Sequence, residues 1–467
     1  MNTMNVDNYE VDSNLRYFAG KETSFDSKDN NWSEKDNKKA QMKLSQSNET
    51  VCNDKKEVEN PISKDDQEDT HAFNKKMFEY GSKVSAIRKL FNYGLERKKI
   101  VGADKVYDFS IGNPSIPAPP QVKQAILDLL EQPPQSVHGY SPSAGDPEVR
   151  KILAESVNRR FATNYTANNF YMTVGAAASL SISIKALTNP GDEFITFAPF
   201  FPEYAVFVEN AGAKLVVTPA DMKNFQIDFE TLDKLITPRT KGIIINSPNN
   251  PSGVVYSEDT IKRLSELLEE KEKEFDISIY LISDEPYREI VYDDIVVPFV
   301  PHYYKNTLVC YSYSKSLSLP GERIGYIITP DEADHSQQLR AAVAGAGRSL
   351  GYVCAPSLFQ KVIARCVDVP SDVSTYKKNR DLIYNGLTEL GYECIRPQGA
   401  FYLFVKSPEP DANAFSEKAK KHDILIVPSD SFGCGGYVRV SYCVSEKTIR
   451  DALPIFAEIM KEYKEQI

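Results

Sequence analysis

From about residue 78 onward, short apolar runs alternate with helical stretches, and this alternation constrains the fold more than any other property of the chain. The runs are "NFYMTVG" (169–175), "DEFITFAP" (192–199), "AKLVVTP" (213–219), "KGIIINSP" (241–248), "ISIYLISDEPY" (277–287), "TLVCYSYSK" (307–315) and "RIGYIITP" (323–330). Amphipathic segments such as "SEDTIKRLSELLEEKEKEF" (257–275) lie between them. Strands this continuously apolar are buried on both faces. The pattern therefore predicts an α/β architecture with a largely parallel sheet covered by helices on each side. After about residue 345 the pattern changes to "APSLFQKVIARCV", "YKKNRDLIYNGLTELGY", "GAFYLFV", "DILIVPSDSF" and "YVRVSYC", which read as a smaller α+β lobe.

Ahead of residue 77 this periodicity is missing. Segments such as "NDKKEVENPISKDDQEDT" are rich in Lys, Asp, Glu, Asn and Ser. They hold too little apolar surface to offset chain entropy, so residues 1–76 are expected to be a disordered polar extension. Met77 stands where the globular pattern begins and is a candidate alternative start. The following "KVSAIRKLFNYGLERKK" (83–99) has the spacing of an amphipathic helix.

Bulk properties narrow the function classes. A net charge of −10 and a pI near 5.3 argue against nucleic acid as a partner. Seven cysteines without a CxxC pair fit reduced thiols in a cytoplasmic setting. Five histidines, none at ligand spacing, give no metal site. No apolar run reaches the about 18 residues of a membrane span, and the first residues lack a secretory pattern.

In parallel sheets, ligands gather at the carboxyl ends of the strands. Four runs carry polar or special residues there: Gly175, Asn246, Asp284 and Lys315. Lys315 sits in "YSYSKSLSLPGERIGY" (311–326), with Ser312 before it and Arg323 beyond a turn. An amine with a lowered pKa forms a Schiff base with a carbonyl cofactor. A hydroxyl and a guanidinium that turn back toward a phosphate complete the needs of pyridoxal 5′-phosphate. That cofactor wants a buried carboxylate at its ring nitrogen, and Asp284 ends an apolar strand. A carboxylate buried there needs a cationic partner, although an Asp before a turn also serves as a helix cap. Tyr287 and Asn250 stand near enough in sequence to reach the ring's phenolic oxygen. Gly175 followed by small residues opens a helix whose N–H groups suit an anion. Phe200, Phe201 and Tyr204 in "APFFPEY" offer a flat face for the ring, or ordinary aromatic core.

Taken together, "NSPNNPSG", "SDEPY", "SYSKSLSLPGERIGY", "PQGAFYLF" and "YVRVSYC" resemble the class I/II aminotransferases, the aspartate and aromatic amino acid branch of the fold type I enzymes. The likeness covers residues 78 to 465. It implies a large domain (122–345) with a mostly parallel seven-stranded sheet between helices. A small domain would combine the N-terminal arm (77–121) with residues 346–467. It further implies Lys315 as the lysine of the internal aldimine, Asp284 at the pyridinium, and Tyr287 and Asn250 at the phenolic oxygen. Ser312, Arg323 and the backbone at Gly175, Ala176 and Ala177 would hold the phosphate, with Phe201 on the ring. Arg439 would clamp the substrate α-carboxylate beside Gly112 and Asn250. Tyr140 would reach the phosphate of a partner subunit, which implies a homodimer with shared sites. The chain departs from the family pattern in its Ala-Ala-Ala phosphate loop, in "NPSG", and in "DEPY".

The implied activity is ping-pong transfer of an α-amino group from an L-amino acid to a 2-oxo acid. Aspartate or glutamate with 2-oxoglutarate is the leading pair, and Lys185 or Arg348 the candidate second cation for an acidic side chain. Aromatic and aliphatic amino acids remain open, given Phe200, Phe201, Phe401 and Tyr402. The alternatives are a C–S or β-lyase on the same scaffold, or a cofactor-binding transcription regulator.

Overall fold

The structure is a computed structural model that describes residues 72–465. The expected extension falls, up to residue 71, outside the described residues. Helix Lys75–Ser82 already begins two residues before Met77, and Lys76 pairs with Glu209 at 3.6 Å. From Lys76 on, the described chain forms one compact unit.

Its centre is a seven-stranded sheet. We number the strands β1 (Phe170–Thr173), β2 (Glu193–Phe197), β3 (Lys214–Thr218), β4 (Thr240–Asn246), β5 (Tyr280–Asp284), β6 (Thr307–Ser312) and β7 (Gly325–Ile328). Their order is β1-β7-β6-β5-β4-β2-β3. All neighbours run parallel except β7, which is antiparallel to both β1 and β6. The sheet is thus mostly parallel, as the resemblance implied.

Strand β4 shows why the runs read as they do. Its Ile244 packs into the cluster built on helix Ala176–Leu187, whereas Ile243 and Ile245 point to the opposite face. There they meet Leu264 and Leu268 of helix Glu258–Phe275. With both faces covered, every second residue and its neighbour must be apolar.

Smaller sheets form the rest. Tyr402–Lys406, Tyr437–Ser441 and Val427–Pro428 make an antiparallel three-stranded sheet with Tyr437–Ser441 in the middle. Tyr107–Asp108 pairs in parallel with Ile424–Leu425, tying an early segment to a late one. No helix among the described residues is long and apolar enough to cross a membrane.

Candidate active site

Register brings the polar strand ends level with one another. Asn246 stands opposite Asp284, and Asp284 opposite Cys310, two residues before the end of β6. Because β7 runs the other way, its start lies at the same edge, with Gly325 opposite Ser312. That reversal is why Arg323, which precedes β7, joins residues that follow the other strands.

These ends surround a cavity of about 300 Å³. Gly112, Ala176, Ala177, Phe201, Asn250, Asp284, Tyr287, Ser312, Lys315, Arg323 and Arg439 all line it. Tyr140 does not; it is 100% exposed. Lys185 and Arg348 do not line it either. Lys185 Nζ donates to the Ala211 carbonyl at 3.1 Å, and Arg348 is exposed on its helix. Within this chain, neither supplies the second cation expected for an acidic side chain.

The Lys315 amine donates to the Gly112 carbonyl at 2.7 Å and lies 5.5 Å from the Phe401 ring centroid. Burial pushes its pKa down to about 8, and the nearby Arg439 and Arg323 guanidinium groups act in the same direction. The amine is therefore a usable base close to neutrality.

Asp284 ends β5 inside the protein. It is only 4% exposed, yet no cation among the described residues pairs with it, and no helix follows it to be capped. Its Oδ2 accepts a hydrogen bond from the Tyr204 hydroxyl at 2.6 Å, while Oδ1 has no partner. Burial raises its pKa to about 7 despite the Tyr204 bond. The sequence offered Tyr204 as a stacking candidate; the fold instead turns it to the carboxylate. Asn246 assists from the next strand, donating through Nδ2 to the Asp284 carbonyl (2.9 Å) and accepting from the Asn250 N–H (2.7 Å).

Arg439, on the central strand of the small sheet, is 2% exposed. It donates to Asn250 Oδ1 at 3.0 Å and to the Ser110 carbonyl at 2.6 Å, and its Nε has no partner. No carboxylate among the described residues forms an ion pair with it, an unusual state for a buried guanidinium. Its charged plane lies 4.7 Å from the Tyr402 ring. The Tyr402 hydroxyl in turn shares a 2.8 Å hydrogen bond with the Tyr287 hydroxyl. A Cβ added to Gly112 would stand 2.0 Å from that Tyr402 oxygen, so only glycine fits there.

The other end of the cavity suits an anion. Gly175 has φ +93 and precedes helix Ala176–Leu187 without a side-chain cap, which leaves first-turn N–H groups free to donate. A Cβ at Gly175 would come within 2.9 Å of the Arg323 guanidinium. Glycine and arginine thus form one cradle. Phe201 borders it, meeting Tyr204 edge-on at 5.7 Å.

Sequence reasoning passed over Ile87, Leu180, Asn246 as a side-chain donor, Pro286, Ser314 and Pro320, and gave Tyr402 no fixed place. It also missed the buried Glu285–Arg288 ion pair beside Asp284, in which Arg288 further donates to the Val297 and Pro298 carbonyls. The Glu–x–x–Arg spacing across a turn was the available signal.

Comparison with known proteins gives a consistent picture. Residues 104–455 match the family described as aminotransferase class I and II. The chain is 32% identical over 365 residues to the aspartate/prephenate aminotransferase of Thermus thermophilus, covering 75% of this chain and 89% of that protein. It is equally 32% identical over 390 residues to a probable aspartate aminotransferase of Methanocaldococcus jannaschii, covering 81% and 98%. Among solved structures, an aminotransferase from Eubacterium rectale is similar at a TM-score of 0.82 and 59% identity, covering 84% of this chain and 99% of that one.

Proposed function

This chain belongs to the class I and II aminotransferases, a pyridoxal 5′-phosphate-dependent family, and from that premise we propose how its own residues carry out the transfer. The observation that carries the reading is one cavity holding three ionisable groups without a counter-ion among the described residues. They are an amine with a lowered pKa, a buried carboxylate oxygen without a partner, and a buried guanidinium without a counter-ion.

These groups fit the cofactor. The unpartnered Asp284 Oδ1 suits a protonated ring nitrogen, and the Gly175–Arg323 cradle, with Ser312 and the Ala176 and Ala177 N–H groups, suits a phosphate. Phe201 would cover the ring, Tyr287 and Asn250 would donate to its phenolic oxygen, and Lys315 would hold it covalently at rest. When bound, the cofactor withdraws electrons from the substrate α-carbon and stores the amino group between the two half-reactions.

The chain's part is positioning and proton transfer. Arg439 would turn its free Nε and its donors to the substrate α-carboxylate, gripping it in two places next to Gly112. Tyr204 would keep Asp284 oriented from Oδ2. Lys315 Nζ would take the α-proton and return it to the carbon of the cofactor's aldehyde, across the amino nitrogen, acting in turn as base and acid. The kinetics would be ping-pong, with aspartate or glutamate and 2-oxoglutarate as the leading pair, a choice supported by the names of the relatives. Replacing Tyr402 with phenylalanine leaves a ring beneath Arg439 but strips the hydroxyl from Tyr287. Steady-state kinetics should then show kcat lowered about tenfold, the worth of one hydrogen bond, with KM little changed.

We further propose a division into a cofactor domain at 122–345 and a small domain from 77–121 and 346–467. The pairing of Tyr107–Asp108 with Ile424–Leu425 supports it. A homodimer is supported by Tyr140, fully exposed and outside its own chain's cavity. A cytoplasmic setting is supported by the free thiols of the described cysteines.

The test is an absorbance spectrum of the purified holoenzyme before and after L-aspartate. The visible band should disappear with aspartate and return with 2-oxoglutarate, and the same preparation should sediment as two chains. A band that aspartate abolishes but 2-oxoglutarate cannot restore would point to elimination and refute amino transfer.

A further inference from the structure

The two acceptors that hold the buried Arg439 are neutral: the Asn250 side chain on one side and the Ser110 carbonyl, at 2.6 Å, on the other. Ser110 is fully buried, and its backbone is shaped by Asp108. Oδ1 of Asp108 accepts from the Ser110 N–H at 3.1 Å and from the Ser110 hydroxyl at 2.6 Å. A carboxylate that accepts from the N–H two residues on closes a tight turn and fixes the backbone between.

Asp108 is itself held from the helix Ala86–Val101. Lys98, in the last turn of that helix, donates to Asp108 Oδ2 at 3.1 Å, and only 11% of the Asp108 side chain is exposed. The helix lies so close that a Cβ added to Gly94 would stand 2.7 Å from Leu425 and 3.2 Å from Asp108 Oδ2. The backbone inside the turn is tied down as well. The Phe109 N–H donates to the Leu425 carbonyl, and the Phe109 carbonyl accepts from the Ser441 N–H, each at 2.9 Å. Ser441 ends the strand that carries Arg439. Asp108 does not line the cavity, so its route to a substrate runs through Ser110 and Arg439.

We propose that Asp108 is a positioning residue for the substrate α-carboxylate. Its turn sets the direction of the Ser110 carbonyl, and that carbonyl, with Asn250, sets the plane of the Arg439 fork. A planar two-point grip weakens steeply when its donors are misaligned. The proposal rests on the role given to Arg439 above and adds the residue that aims it. An amino acid and a 2-oxo acid share the α-carboxylate and differ beside it. A loss of aim therefore weakens both alike and leaves proton transfer at Lys315 in place.

The test titrates the holoenzyme with α-methyl-L-aspartate, which has no α-proton to lose, so that absorbance gives a dissociation constant free of chemistry. Asp108→Ala should raise that constant about tenfold, and KM for L-aspartate and 2-oxoglutarate with it, while kcat stays within about threefold of wild type. Asp108→Asn keeps an oxygen for the turn and gives up only the pairing with Lys98, so it should stay within about threefold throughout. A double-mutant cycle reads the route: in an Arg439→Lys enzyme, Asp108→Ala should add less than about twofold. Where Asp108→Ala loses its visible band by misfolding, Ser110→Ala decides instead. It removes the shorter of the two bonds and should raise the constant about threefold. An unchanged constant in a variant that keeps its band, or a tenfold rise in both Arg439 backgrounds, overturns the role of Asp108. If the analogue leaves the wild-type band unchanged, or Arg439→Lys alone leaves the constant unchanged, the proposed function fails first and the role of Asp108 falls with it.

Discussion

Lys315→Ala is expected to lower kcat by about 10⁴-fold or more while the protein still binds its cofactor. The size follows from what else lines the cavity. Asp284 would be committed to the ring nitrogen, and burial holds the Tyr287 and Tyr402 phenols in their protonated forms. Arg323 and Arg439 are guanidinium groups, which do not give up a proton near neutral pH. No other group there can serve as base, so the α-proton would leave only to water. Stopped-flow absorbance after mixing with L-aspartate measures the loss. A small primary amine added to the alanine variant should restore part of the rate, while Lys315→Arg should remain as slow as Lys315→Ala. A Lys315→Ala enzyme within tenfold of wild type would remove this residue from the chemistry.

Asp284→Asn should cost about 10³-fold in kcat/KM, because an amide cannot hold the ring nitrogen protonated. A pH experiment isolates the same carboxylate without mutation. In the cofactor-free fold its pKa is raised to about 7, above the ordinary carboxylate value near 4 expected in the unfolded chain. Below pH 4 the group is protonated in both states and takes nothing from stability. Between pH 4 and 7 the folded state holds the proton that the unfolded state has released, so stability falls as pH rises and levels off above 7. The span corresponds to about 4 kcal/mol, at about 1.4 kcal/mol for each pH unit. A bound cofactor cation removes that loss. The increase in Tm on adding pyridoxal phosphate should therefore be larger at pH 8 than at pH 5.5 in wild type, and the difference should shrink in Asp284→Asn. Equal increases at both pH values in wild type would show that the carboxylate does not meet a cation.

Much of the sheet could be read from the chain because burial on both faces leaves a mark that needs no partner to interpret. "KGIIINSP" is apolar at consecutive positions, and the structure sends Ile244 one way and Ile243 and Ile245 the other. The strand-end residues were legible for a related reason: a polar residue directly after such a run has few places to go but the sheet edge. Side-chain partners were not. Tyr204 meets Asp284 across 80 positions, and Asn250 meets Arg439 across 189, distances at which sequence pattern says nothing about contact. Lys185 was one of two candidates for a substrate cation because of its place on the helix after Gly175. The helix turns it the other way, to the carbonyl of Ala211. Tyr402 was visible only as one more aromatic, because its importance comes from three neighbours that converge in space: Gly112, Tyr287 and Arg439.

The reversed strand β7 has a consequence for inheritance as well as for geometry. Since β6 ends and β7 begins at the same edge, the single connection from Ser312 to Gly325 carries both Lys315 and Arg323. The proposed covalent anchor and ionic anchor thus travel, with Ser312, on one uninterrupted stretch of about a dozen residues, whereas Gly175, Phe201, Asn250 and Asp284 come from other strand ends. A change of length in this stretch would displace both anchors together. Recombination between related genes could exchange the edge strand β3 without touching either anchor, but a crossover inside residues 312–325 would join an amine from one parent to a phosphate grip from another.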